Sequence, residues 1–179
     1  MIKREKGFSL IELLIVVAII LIIAAIAIPN LLRSRMAANE ASAVGSIRTI
    51  NTAAITYNST YGNGFPTHLL EVGGAAGAAA TCDHALLLDS VLGGLDTSVK
   101  SGYSFQVLDA GTPVTTVPAG CALAGSAAGY GAIAVPVTVG TTGQRSFCSD
   151  ASGVIRFDAT GAAAALVAAL CPVALGPLQ

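Results

Sequence analysis

Between Phe8 and Ile28 the only polar side chains are Ser9 and Glu12, and from Leu13 to Ile28 there are none. About 20 such residues, rising about 1.5 Å each as a helix, cross a hydrocarbon core roughly 30 Å thick. The core helix of a large soluble protein has the same pattern, but the rest of this chain is too small to surround one. Past the apolar run the pattern changes. From Leu31 to about Tyr57, Met36, Val44, Ile47, Ile50 and Ala54 recur at spacings near three and four, interrupted by the charges of Glu40 and Arg48. That periodicity predicts an amphipathic helix whose apolar face carries a head. Pro29 stands between the two parts. It lacks an amide donor, so it either kinks or loosens a continuous helix or marks a helix boundary at the membrane edge.

The helical pattern ends at the sequon Asn58-Ser59-Thr60 and the loop signal Tyr61-Gly62-Asn63-Gly64-Phe65-Pro66. A sequon alone is a weak glycosylation signal. From Leu69 to Leu95 a connecting segment includes the low-complexity stretch 73–80 and has room for one or two helical turns. Tyr103–Leu108, Tyr130–Val139, Arg145–Ser149 and Val154–Asp158 read as strands, separated by Gly, Pro and Asp signals. Asp150-Ala-Ser-Gly153 reads as a hairpin turn joining the last two. A sheet this small buries little alone, so it is expected to pack on the exposed half of the long helix. The Ala-rich tail from Ala162 to Leu170 is too short to span a membrane and is expected to pack on the head. The expected fold class is α+β: a long N-terminal helix packed on a small antiparallel sheet.

Composition sharpens this picture. The 179 residues are 54% hydrophobic and only 11% charged, far below the quarter or so usual in soluble domains, so much of the surface needs shielding by lipid or partner subunits. The net charge is −1, and Lys100, Arg145 and Arg156 are scattered singly. No basic stripe is present to neutralise phosphates, and with no Trp a stacking platform is not evident, so nucleic-acid binding is not expected.

The N-terminus carries the strongest signal. Met1-Ile-Lys-Arg-Glu-Lys-Gly7 is a short leader in which Lys3, Arg4 and Lys6 outweigh Glu5, a bias that keeps this end cytoplasmic. In ordinary secretory signals the cleavage site follows the apolar stretch. Here Gly7-Phe8-Ser9-Leu10-Ile11-Glu12 precedes it, so a cut would leave the membrane helix attached. This arrangement resembles the class III signal of type IV pilins and of the pseudopilins of type II secretion systems. The resemblance implies that a membrane peptidase cuts between Gly7 and Phe8 and methylates the new amino terminus of Phe8. It places Glu12 where the family keeps a glutamate and Pro29 where it has a helix-perturbing proline. It covers Met1 to about Tyr61, and the stretch from Gly143 to Arg156 also looks like the strand pair near the end of small pilin-like heads.

The resulting division is a leader at 1–7, a transmembrane and filament-core helix at 8–29, an amphipathic half at 30–61 and a head at 62–179. An ionisable group inside an apolar span is expensive and usually has a partner or a purpose. Cleavage would create one for Glu12, the Phe8 amino group, cationic below its ordinary pKa of about 8. In the family the glutamate is thought to meet the amino terminus of a neighbouring subunit, offsetting both desolvation penalties and setting axial register. The alternative is that Glu12 sits near the interface and snorkels to water.

Cys82, Cys121, Cys148 and Cys171 all follow the membrane signal, which points to an oxidising compartment and two disulfides. Four cysteines allow three pairings; the favoured one joins Cys148 to Cys171 and Cys82 to Cys121. Zinc is the rival reading, weakened by the absence of paired CxxC spacing and by only His84 lying close to a cysteine. His68 and His84 read as surface or loop residues, and Asp150 and Asp158 lack an EF-hand pattern. No metal and no cofactor are expected. The chain has no GxSxG elbow, P-loop or HExxH, so it is not expected to be an enzyme.

The expected function is a structural subunit of a type IV pilus or pilus-like filament. Its expected partners are like subunits, the prepilin peptidase and methylase, and an inner-membrane assembly platform. The precursor is expected in the inner membrane with its head in the periplasm, and later in a surface or periplasmic filament. A secretion pseudopilin and a monomeric anchored binding module are the alternatives.

Overall fold

The computed structural model describes residues 7–74, 77, 79–109, 111–121, 125, 129–162, 171–172 and 174–178. The leader up to Lys6 and most of the Ala-rich tail lie outside them. The chain divides into two compact units, Met1–Arg35 and Met36–Gln179. Helix α1 (Leu10–Tyr61) begins in the first and ends in the second.

In the first unit, Pro29 lies within α1 and not at its end, so the boundary reading does not hold. Its ring nitrogen offers no donor to the preceding turn, which leaves one carbonyl there without its helical partner. The large apolar side chains from Phe8 to Leu32 are 45% to 80% exposed.

In the second unit, α1 buries one face. Val44, Ile47, Ile50, Ala54 and Tyr57 follow one another at three- and four-residue intervals and, with Ala43 beside them, are at most 8% exposed. Met36, expected on this stripe, is only half-buried. The helix stops at Gly62, whose φ of +62° suits glycine and lets its N–H reach the Asn58 carbonyl at 3.0 Å.

Two short helices follow, α2 (Leu69–Val72) and α3 (Ser90–Gly93). Asp89 caps α3 by accepting from the Val91 and Leu92 amides. Gly73 and Gly93 let their backbones meet: a Cβ on Gly73 would stand 2.0 Å from the Gly93 carbonyl oxygen.

Among the described residues the sheet has six strands, all antiparallel and in sequence order. They are β1 (Thr97–Lys100), β2 (Tyr103–Asp109), β3 (Tyr130–Pro136), β4 (Ser146–Asp150), β5 (Arg156–Asp158) and β6 (Gly176–Pro177). β1 and β6 were not anticipated: the first has one large apolar residue and the second is a Gly-Pro pair. β3 ends before Val139 because the Val137 amide turns to the Gly102 carbonyl, at 3.0 Å. β5 begins after Val154, and the neighbouring Ile155 carbonyl accepts instead from the Leu178 amide. The turn at Asp150–Gly153 joins β4 to β5, with the Gly153 amide on the Asp150 carbonyl at 2.8 Å.

Tyr103, Phe105 and Val107 alternate inward on β2 and meet Tyr130 and Phe147 against the buried face of α1. A polar link crosses this core. Asn51 donates from Nδ2 to Ser149 Oγ at 2.8 Å and accepts at Oδ1 from the Tyr130 hydroxyl at 3.0 Å, while only 7% exposed. Asn51→Ala leaves both hydroxyls without this partner and is expected to lose about 1–3 kcal/mol. Urea unfolding of the detergent-solubilised protein measures this; a loss below about 0.5 kcal/mol would mean that water or another group replaces the amide.

Candidate functional site

Helix α1 starts immediately after the leader junction. Gly7 has open space where a side chain would stand, and Phe8 is 79% exposed. Ser9 occupies the N-cap position, its carbonyl accepting from the Leu13 amide at 3.2 Å. Glu12, three residues on, turns back and accepts from the Ser9 amide at Oε2, at 2.9 Å. This is one half of a capping box, with the carboxylate at the helix end where backbone dipoles favour negative charge. Thus Glu12 is held beside the amino end of its own helix, four residues from Phe8.

The apolar surface from Phe8 to Leu32 is the second component. Among the described residues one helix, α1, is long and apolar enough to cross a membrane, and its apolar stretch is exposed. A surface of this extent is not stable in water and calls for lipid or other apolar helices.

The third component fastens the head to the helix after Met36. Glu40 accepts at Oε1 from the backbone amides of Gln144 and Arg145, at 2.9 and 3.2 Å. At Oε2 it accepts from Arg145 Nε and Nη2, at 2.9 and 2.7 Å. The Arg145 guanidinium also lies 5.6 Å from the Phe147 ring centre and 5.3 Å from that of Phe157. Burial raises the Glu40 pKa, but the Gln144 amide and the Arg145 side chain and amide outweigh it, and the net direction is downward. The sequence marks Glu40 only as an interruption of an apolar stripe. Its partner lies 105 residues away, beyond the reach of any local pattern.

Disulfides join Cys82 to Cys121 and Cys148 to Cys171. They span 39 and 23 residues, for which loop-closure entropy suggests about 3–4 kcal/mol each. The Tyr57 hydroxyl donates to the Cys82 carbonyl at 2.7 Å, tying the first bridge to α1. Among the described residues no group of three or more His, Cys, Asp or Glu side chains could hold a metal ion. Asp150 is engaged by the Ser152 and Cys171 amides, and Asp158 by Thr160.

A helix with an exposed apolar N-terminal half and a small antiparallel sheet packed on its second half define a pilin-like α+β protein. Residues 2–28 match the family described as the prokaryotic N-terminal methylation motif. The chain is 63% identical over 38 residues to the type IV wide pilus major component PilA4 of Thermus thermophilus, across 21% of this chain and 29% of that protein. It is 45% identical over 56 residues to the type IV major pilin protein PilA of Myxococcus xanthus, across 31% of this chain and 26% of that protein. The matches therefore span less than a third of either relative. No solved structure matches the chain. The similarity to these pilins lies in the N-terminal segment, where the methylation motif also matches.

Proposed function

We propose that the chain is a structural, non-enzymatic subunit of a type IV pilus or pilus-like filament. The observation that carries this reading is the apolar surface of α1 directly behind a leader with the methylation motif. Both curated relatives are described as major pilus components, which favours a pilus over a secretion filament.

In this reading the basic leader holds the precursor's N-terminus in the cytoplasm, with the head in the periplasm. Prepilin peptidase cuts between Gly7 and Phe8, and Phe8 is N-methylated. The platform in the inner membrane then moves the subunit from lipid into a bundle of like helices. Glu12 meets the Phe8 amino group of a neighbouring copy, so the two charges leave lipid as a pair. Pro29 leaves a weakened turn where the helix stretches as it repacks. Head-to-tail contacts that do not close a ring generate an open helical filament.

Intact-mass measurement and N-terminal sequencing of sheared surface material test the reading. The expected product is a chain in filaments that starts at N-methylated Phe8. An uncut chain starting at Met1, present only as a membrane monomer, would overturn it in favour of an anchored binding module.

A further inference from the structure

Two adjoining hollows of about 330 and 440 Å³ lie at the β6 edge of the head, with Arg145 and Leu178 in the walls of both. The first opens beside Ala41, Val44 and Arg48 of α1, and the second runs over Phe157 and Pro177. Together they make a groove with apolar walls and two cations. Arg145 is neutralised by Glu40 and lies against the rings of Phe147 and Phe157. Arg48 is exposed and forms no ion pair among the described residues, so one positive charge at the groove is left over.

The opposite edge of the sheet has the converse character. Strand β1 lies there with α3 packed beside it. Val91, Leu95 and Val99 are 58%, 67% and 59% exposed, the three most exposed large apolar side chains among the described residues of 62–179. Single exposed apolar residues are ordinary, but three within nine residues, on two elements packed together, mark a contact surface. At its margin Lys100 and Asp89 neutralise each other at 3.0 Å. Asp96, next to Leu95, is exposed and in no ion pair among the described residues, which leaves one negative charge.

We propose that this knob, led by Leu95 and Asp96, docks in the Arg48 groove of a second copy of the chain, an inference that rests on the filament reading. Leu95 covers the apolar wall at Val44 and Leu178, and Asp96 gives Arg48 the counter-ion that its own chain does not supply. The occupant is a second copy because one chain carries both halves of the contact. Edges β1 and β6 are separated by five strand intervals of about 4.8 Å, or about 24 Å, so one copy can use both at once. Each docking leaves a free knob at one end and a free groove at the other, which is the heterologous contact that an open filament repeats. A foreign partner would account for only one of the two surfaces.

The experiment uses the full chain in its own cells, read as subunit in sheared filaments relative to cleaved subunit in the membrane. Arg48 and Asp96 are exposed, so Arg48→Glu and Asp96→Arg are each expected to leave the subunit folded and processed while lowering filament yield on the order of tenfold. The double variant, which restores opposite charges across the contact, is expected to recover most of that yield. Independently of any charge change, a photo-reactive phenylalanine analogue in place of Leu95 is expected to give a covalent dimer in filaments, its junction mapping to residues 36–48 or 176–178. Full yield from Arg48→Glu, no recovery in the double variant, or a crosslink to another protein or to other residues of the chain would overturn the proposal while leaving the filament reading intact. A chain that is never found in filaments, even unaltered, overturns the filament reading itself and this proposal with it.

Discussion

Glu12→Ala is expected to abolish incorporation into filaments while the cleaved, methylated subunit accumulates in the membrane. The substitution removes two interactions: the carboxylate on the Ser9 amide, and the charge proposed to meet a neighbour's amino terminus. The first is a helix cap, worth about 1 kcal/mol, too little to stop assembly. The second leaves the Phe8 ammonium without a counter-ion as it leaves the interface, a penalty of several kcal/mol for each subunit added. Glu12→Gln separates them, because the amide oxygen can still accept from Ser9. If Glu12→Gln assembles normally and Glu12→Ala does not, the cap is what matters and charge pairing is wrong. Normal assembly by both would remove Glu12 from the mechanism altogether.

The second large effect is expected at Glu40. Glu40→Ala strands two backbone amides and a guanidinium at a site where the carboxylate is 11% exposed, and is expected to lose about 2–4 kcal/mol. Arg145→Ala is expected to lose less: its side chain is 40% exposed, and Glu40 would keep both amide donors. The pH dependence follows from the lowered pKa of Glu40. Its contribution is fully present above the unfolded value of about 4.3 and is lost as pH falls through the lower folded value. Urea unfolding between neutral pH and pH 3 should therefore show a falling midpoint that is shallower in Glu40→Ala. Equal slopes for the two proteins would mean that Glu40 is not the group being titrated.

The long helix and the class of fold were legible because they rest on short-range repetition. Val44, Ile47, Ile50 and Ala54 mark one helix face by spacing alone, and Tyr103, Phe105 and Val107 mark one sheet face by alternation. What escaped depends on distant partners or lacks side-chain signal. Strand β1 has only Val99 as a large apolar residue, and that residue is 59% exposed, so no inward face announces it. Strand β6 is a strand only because Arg156 and Phe157 lie alongside Gly176 and Pro177. Glu40 and Asn51 look like polar faults in an apolar stripe. Each is instead the point where helix and sheet are joined by directional bonds, across 105 and 98 residues of chain.

The in-order strand arrangement also sets a timetable for biogenesis. Each strand finds its predecessor already made, so the sheet can extend one strand at a time as the polypeptide emerges, with little search. Helix α1 does not share that advantage, because Glu40 waits for a partner 105 residues downstream. At synthesis rates of roughly 5–20 residues per second the wait is about 5–20 s. Until β2 and β3 have been made, Ile47, Ile50 and Tyr57 have no sheet to cover them, which makes this stretch of the nascent chain a natural client of chaperones and proteases.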